Sequence, residues 1–408
     1  MFKKVKKCRF CESNLITDVL DLGKQPLANG LLKTIEKKKS KQIPLKMIIC
    51  KSCKLLQLSC TVKPELLFKK YLWVTGTSKK VKNYREYFFK KLSRYLNLEK
   101  KFIIEVASND GFFLEYVKKK NQVLGIDPAK NLAKTAKKRG VKTFTDFFNQ
   151  STSKKIHKIY KRKSDLVICR NVIPHIENIQ EVMKSLKYII SDTGMGVIEF
   201  HDATNILEKN HYDYIYHEHI FYFTMTSLTN ILKKNGMYAF DFFKSPISGG
   251  SYVLLFKKNK TKLSKNFKKK LKFEKINKFQ SITKWKSLES KCKIHKAKLL
   301  KIFNNHLYNS NVMGYGASAR SSTLLNYLKL NDNHLKKIFD INPLKKNLFT
   351  PGTNLKIEFP TKQKIKSSNI IFLLAWNFKK EILNFLKTNE FNGKILQPLP
   401  KIKFFKFK

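Results

Sequence analysis

The feature that most restricts the fold is a strand that runs straight into a tight polar turn. Lys101-Phe102-Ile103-Ile104-Glu105-Val106-Ala107 is apolar enough for a covered strand, and Ser108-Asn109-Asp110-Gly111 follows with no spacer. A helix opens at Phe112, and a second strand, Val123-Leu124-Gly125-Ile126-Asp127, ends in an acid. Strand, crossover helix and strand predict a parallel, doubly wound sheet with helices on both faces. The turn lets backbone approach a ligand, and the terminal acid can hold both hydroxyls of a ribose. The Gly-x-Gly-x-x-Gly that cradles a pyrophosphate is not in this turn. S-adenosylmethionine (SAM) carries a ribose but no phosphate, so the pattern fits SAM better than NAD; a purely structural unit is the alternative. The candidate cofactor contacts here are Glu105, Ser108, Asn109, Asp110, Gly111 and Asp127.

The same unit continues downstream. Residues 141–144 read as a third strand, followed by Phe147, placed to touch an adenine. Residues 165–170 read as a fourth strand, ending in Asn171 and His175, and residues 195–200 as a fifth. After twelve intervening residues comes Asp213-Tyr214-Ile215-Tyr216-His217-Glu218-His219-Ile220-Phe221-Tyr222. Imidazoles, a carboxylate and phenols at the carboxyl edge of a doubly wound sheet suit acid–base work on a small substrate.

Two Cys-x2-Cys knuckles, Cys8/Cys11 and Cys50/Cys53, supply four thiolates, enough to close a tetrahedral structural zinc site with no open position. Cys60, Cys169 and Cys292 read as packing residues. Near the other end, Gly314-Tyr315-Gly316-Ala317-Ser318-Ala319-Arg320 opens a second strand–turn–helix unit, where a phosphate would suit the helix start and Arg320 could pair with it. Between the two units, Gly249-Gly250-Ser251 allows a close backbone approach or a sharp turn. Residues 261–307 read as one long connecting helix or a pair.

The chain has 408 residues and a formal net charge of +55, which invites a nucleic-acid reading. Only seven of its 84 basic residues are Arg, the residue of bidentate phosphate and base recognition, and the Lys is spread throughout. A specific nucleic-acid binder is therefore disfavoured, although the field still favours a phosphate-bearing substrate. The apolar run 369–378 is too short to span a bilayer. A cytoplasmic protein, monomer or homodimer, without membrane insertion is expected.

Taken in order, these motifs resemble the sugar C-methyltransferase family across nearly the whole chain. The resemblance rests on the two knuckles, Glu105 to Gly111, Tyr216-His217-Glu218-His219, Gly314 to Ala319, Asp340-Ile341-Asn342-Pro343-Leu344-Lys345 with Pro351-Gly352-Thr353, and Ala375-Trp376-Asn377-Phe378. It implies a zinc-binding N-terminal domain (1–78), a central class I SAM-methyltransferase domain (79–256), a helical connector (257–307) and a C-terminal Rossmann-like substrate-binding domain (308–408). It also implies methyl transfer to the carbon beside the keto group of a nucleotide-linked 4-keto-6-deoxyhexose. His219 would be the base and Glu218 its support, with Tyr216 and His217 as donors to the enolate. Tyr71 or Trp73, His175, Gly249, Gly250, Ser251, Tyr315 and Arg320 would line the substrate cleft. Two departures stand there: Ser248-Gly249-Gly250-Ser251-Tyr252-Val253 lacks the family's His and Arg, and Arg320-Ser321 replaces its Lys-Gly. An O- or N-methyltransferase acting on a sugar or other small molecule is the alternative.

Overall fold

The computed structural model describes residues 1–35, 40–68, 75–77, 79–247, 249–307 and 310–407. The expected parallel strands form: Phe102–Val106, Gln122–Ile126, Thr143–Phe144, Ser164–Arg170 and Ile190–His201. Two further strands, Tyr238–Ser245 and Ser251–Lys257, complete a seven-stranded sheet. Across that sheet the order is Tyr238–Ser245, Ser251–Lys257, Ile190–His201, Ser164–Arg170, Phe102–Val106, Gln122–Ile126, Thr143–Phe144. Ser251–Lys257 runs antiparallel to both of its neighbours, Ile190–His201 and Tyr238–Ser245, and the other pairs are parallel. Phe102–Val106 is buried at every position, as a strand covered on both faces must be. The order reverses beside this strand, so its carboxyl end opens onto the crevice where doubly wound sheets bind ligands.

At the N-terminus, Ile16–Gln25, Ile43–Cys50 and Leu56–Leu58 form an antiparallel sheet whose fourth strand, Phe221–Tyr222, comes from far along the chain. The Ile220 carbonyl accepts from Leu58 N at 2.8 Å, and Ile220 N donates to the Pro174 carbonyl at 2.7 Å. The segment carrying His217, Glu218 and His219 is thus held between the cysteine-bearing sheet and the large one.

The connector is a pair of helices, Lys265–Ile276 and Ile282–His306. Trp285, Leu288 and Cys292 of the second helix share a core with Val19, Leu20 and Leu22 of the N-terminal sheet and with the C-terminal sheet. That last sheet has the order Ile357–Glu358, Lys337–Phe339, Val312–Tyr315, Ile370–Phe372, Lys394–Gln397, Lys403–Lys406. It is the 3-2-1-4-5-6 order of dinucleotide-binding domains, with its last strand antiparallel. Gly316 has φ +100°, and a Cβ there would lie 2.3 Å from the Ala375 Cβ, which explains the glycine at this turn.

Candidate active site

Cys8, Cys11, Cys50 and Cys53 place their sulfurs within 4.8 Å of one another. The Cys8–Cys53 and Cys11–Cys50 separations are 3.6 and 3.5 Å, too long for disulfides. They match the edge of a tetrahedron with Zn–S bonds of about 2.3 Å, which is about 3.8 Å. Gln57 Nε2 donates to Cys8 Sγ at 3.2 Å and Cys53 N to Cys50 Sγ at 3.5 Å, as thiolate ligands require. The four residues therefore fit a closed structural zinc. Cys60 instead donates to the Pro44 carbonyl at 3.3 Å, and Cys169 and Cys292 are buried free thiols outside the four-sulfur cluster.

Around the first turn of the large sheet, Ala107, Asn109 and Gly111 take φ of +53°, +53° and +72°. Asp127 accepts from Asn109 N and Ala129 N, each at 2.9 Å, so strand-end acid and turn are locked together. Burial raises its carboxyl, partly offset by those two amides. Glu105, Ser108 and Asn171 stand on neighbouring strand ends, and Glu105 Oε2, Ser108 Oγ and Asn171 Oδ1 are buried without a partner. Unsatisfied buried polar atoms at a crevice fit a polar ligand such as SAM, which these residues and Asp127 would hold. Asp110 differs: its carboxylate is engaged by Arg139 Nη2 and Gly76 N, both at 3.2 Å, and faces the chain rather than the crevice. Phe147 is 47% exposed, consistent with a ring that covers a ligand from the solvent side.

Arg170 and Glu199, which no local pattern marks, join Glu105 in a buried charge cluster beside this turn. Arg170 Nε donates to Glu105 Oε1 at 2.8 Å, and its guanidinium lies 3.2 Å over the Phe113 ring. Glu199, on the adjacent strand end, accepts from Ser245 Oγ at 2.7 Å. Burial pushes the Glu105 carboxyl up to about 7 and raises Glu199 as well, with Arg170 opposing in both.

His219 Nδ1 lies 3.0 Å from the Tyr214 carbonyl, which can only accept, so Nδ1 carries the proton. Nε2 then holds a lone pair and accepts from the Tyr216 hydroxyl at 2.7 Å. The His175 ring meets His219 edge-on at 4.8 Å, and the Tyr214 ring lies 4.3 Å away on another side. Burial, then His175, hold the imidazole well below its usual range, so it is neutral, with its lone pair at Nε2. Burial lowers His175 to about 4, so this neighbour is neutral too.

Several expected roles change. His217 turns away, its Nε2–H donating to the Ile43 carbonyl at 3.3 Å, so it is a buried tie to the N-terminal sheet and not an enolate donor. Glu218 does not orient His219: its Oε1 accepts from Asn29 Nδ2 at 2.5 Å, and the Tyr214 carbonyl orients the ring instead. Arg320 is already paired, Nε and Nη2 donating to Asp213 at 3.0 and 2.9 Å, with Trp376 Nε1 adding a third bond to Asp213 at 2.9 Å. Two opposite charges in a fork-to-carboxylate pair leave no reason for a diphosphate to displace them. Tyr315 is 4% exposed and packs between Phe339 and Phe385 in the C-terminal core, so it does not line a cleft. Tyr71, Trp73 and Ser248 lie outside the described residues. Gly249 and Gly250, with φ +67° and +136°, bring backbone against Trp376 and Asn205, at the junction of the two α/β units.

Three comparisons bear on these arrangements. Residues 8–68 match a model of a zinc binding domain, 81–240 a methyltransferase domain and 246–400 a C-methyltransferase C-terminal domain. The chain is 26% identical over 409 residues to the C-methyltransferase NovU of Streptomyces niveus, covering 98% of this chain and 96% of that protein. Among solved structures, the magnesium protoporphyrin IX methyltransferase of Synechocystis PCC 6803 with bound S-adenosylhomocysteine is 14% identical, with a TM-score of 0.35 over 43% of this chain and 83% of that one. The protein PH0226 of Pyrococcus horikoshii OT3 is 14% identical, with a TM-score of 0.36 over 48% of this chain and 99% of that one. At such scores these likenesses add nothing to the strand order, which carries the fold. Among the described residues no helix is long and apolar enough to cross a membrane.

Proposed function

Because the chain is a SAM-dependent methyltransferase with the zinc-binding and C-terminal domains of C-methyltransferases, we propose that it methylates the carbon beside the keto group of a nucleotide-linked 4-keto-6-deoxyhexose, at C3, with His219 as the base. The observation that carries this reading is the fixed tautomer of His219: Nδ1–H is held by the Tyr214 carbonyl, which leaves Nε2 to receive a proton. A proton on carbon is acidic only when a neighbouring ketone delocalises the charge, and the site must stabilise the enolate oxygen. Tyr216 is the nearest donor, half-buried and already on Nε2 at 2.7 Å. When its hydroxyl rotates onto the ketone oxygen, Nε2 is uncovered in the same movement. The low proton affinity of His219 comes first from burial; a developing enolate beside it adds the opposite charge that raises that affinity as the proton moves. SAM supplies an electrophilic methyl when bound, and Ser108, Glu105, Asn171 and Asp127 would hold it at the strand ends.

His219→Asn keeps a group able to donate to the Tyr214 carbonyl and removes the base. We expect no methylated product from a panel of 4-keto-6-deoxy nucleotide sugars, followed by mass spectrometry, with SAM affinity within about twofold of wild type. Turnover by the variant at the wild-type rate refutes the assignment. A substrate whose ketone has been reduced to the alcohol should be inert; if it is methylated equally well, the enzyme is an O-methyltransferase.

A further inference from the structure

Beyond His219, on the far side of Tyr214, a second pair of imidazoles is buried. The His201 ring stacks on Tyr214 with centroids 3.9 Å apart and planes 21° from parallel. Its Nε2 lies 3.4 Å from His211 Nδ1, and the His211 ring rests against Trp376 at 4.6 Å. His201 also pairs across the sheet with Ser251, the residue that follows the Gly249-Gly250 turn. The three side chains are 4%, 1% and 1% exposed in the order His201, His211, Ser251. His201 Nδ1, His211 Nε2 and Ser251 Oγ nonetheless have no hydrogen-bond partner. Leaving a buried polar atom without a partner is unfavourable, and here three such atoms stand together at one domain junction.

We infer that His201, His211 and Ser251 form a subsite that hydrogen-bonds the hydroxyl-bearing sugar ring of the substrate. This rests on the reading that the enzyme methylates a nucleotide-linked sugar. The class of ligand follows from proton counting. Two neutral imidazoles sharing one hydrogen bond leave one free N–H and one free lone pair, whichever ring donates. A phosphate or carboxylate offers only acceptors and would leave that lone pair unmatched. A hydroxyl both donates and accepts, as does Ser251 Oγ, so the set matches hydroxyls. Burial keeps both rings neutral, and Arg320 nearby acts in the same direction. The Arg320 guanidinium beside these rings is closed on Asp213. The ring stack His219–Tyr214–His201 then places the base and this subsite on opposite faces of one phenol, so a sugar held by its hydroxyls at one end is presented to the base at the other.

His201→Phe and His211→Phe preserve the aromatic faces and delete the nitrogens. For the panel sugar that wild type methylates, KM should rise at least tenfold in each, with kcat changed less than threefold. The double variant should be no worse than the worse single one. Melting temperature should hold or rise, since orphaned polar atoms have been removed. An unchanged KM with a raised melting temperature overturns the subsite. Should the Phe variants not fold, Ser251→Ala removes one oxygen only and should raise KM threefold or more; no change overturns the proposal. The two readings fail separately. If wild type methylates no panel member, the proposed function falls, and calorimetry with UDP-glucose, dTDP-glucose, UDP and dTDP in the presence of S-adenosylhomocysteine then decides the subsite. The glucose should strengthen wild-type binding over the bare nucleotide tenfold more than it does in His201→Phe; an equal gain in both, or binding of neither sugar nucleotide, overturns it.

Discussion

Arg320→Met should destabilise the protein while leaving substrate affinity close to wild type, if the ion pair with Asp213 is a joint between domains. The pair is nearly dry, with side-chain exposures of 10% and 1%. Asp213 accepts three bonds, two from Arg320 and one from Trp376, all within 3.0 Å. Taking Arg320 away leaves a buried carboxylate on a single indole N–H, which costs about 3–5 kcal/mol. Asp213→Asn leaves the buried guanidinium facing a neutral amide in place of the carboxylate and should cost about 2–3 kcal/mol, the range for losing a hydrogen bond to a charge. The double variant buries no charge at this place, and an intact pair replaced by neutral groups is often close to neutral in stability. The singles together cost about 5–8 kcal/mol and the double close to nothing, so the cycle should be strongly non-additive, with a coupling of roughly 5 kcal/mol or more. Urea unfolding followed by tryptophan fluorescence measures it, and Trp376 itself reports on the joint. Additive effects, or a loss under about 1 kcal/mol for Arg320→Met together with a large rise in KM, would refute the structural role and return Arg320 to the substrate's diphosphate.

Two further outcomes test the scaffold. Stripping zinc with a strong chelator, or Cys50→Ser, should release the N-terminal sheet, since structural zinc contributes about 10–16 kcal/mol of apparent binding energy at pH 7 in small domains; methyl transfer should fall more than tenfold, because Phe221–Tyr222 belongs to that sheet, and metal analysis should find one zinc per wild-type chain. Glu218 is pushed up to about 7 from 4.5, first by burial, with Asn29 opposing. Between those pH values the folded protein keeps a proton that the unfolded chain has lost, so this group's contribution to stability falls as pH rises, by roughly 3 kcal/mol in all. Glu218→Gln should be more stable than wild type at pH 8 and no more stable at pH 4.5; a pH-independent difference would show that the carboxyl titrates normally.

The seven-stranded sheet was readable because its inner strands are buried on both faces and therefore appear as unbroken apolar runs, Phe102–Val106 above all. What was hidden is pairing between distant segments. Nothing local marks Phe221–Tyr222 as the edge of a sheet made by residues 16–58, since a two-residue strand has no periodicity to read. Lys403–Lys406 was also missed: its strand is half-exposed, and in a chain with 84 Lys and Arg its Lys-Phe-Phe-Lys pattern looks like tail composition. Its partner, Lys394–Gln397, supplies the ladder that makes it a strand.

The active site was legible as a place but not as a set of contacts, and the reason is a turn. Adjacency in sequence suggested that Glu218 supports His219. The backbone closes between Tyr216 and His219, His219 N donating to the Tyr216 carbonyl at 2.9 Å. Such a closure sets residues three apart side by side, so Tyr216 meets His219 ring to ring at 4.0 Å. The two residues between them project to the other side, where His217 finds the Ile43 carbonyl and Glu218 finds Asn29, both in the N-terminal domain. One tetrapeptide thus faces two ways: its ends form the proposed catalytic pair and its middle is fastened to the N-terminal domain. The polar middle residues are needed because a turn clamped between two sheets must satisfy its buried groups from whichever neighbour lies nearest. The N-terminal domain therefore bears on the proposed base through position: Asn29 and Ile43 hold the middle of the tetrapeptide whose last residue, His219, has its tautomer fixed by the Tyr214 carbonyl.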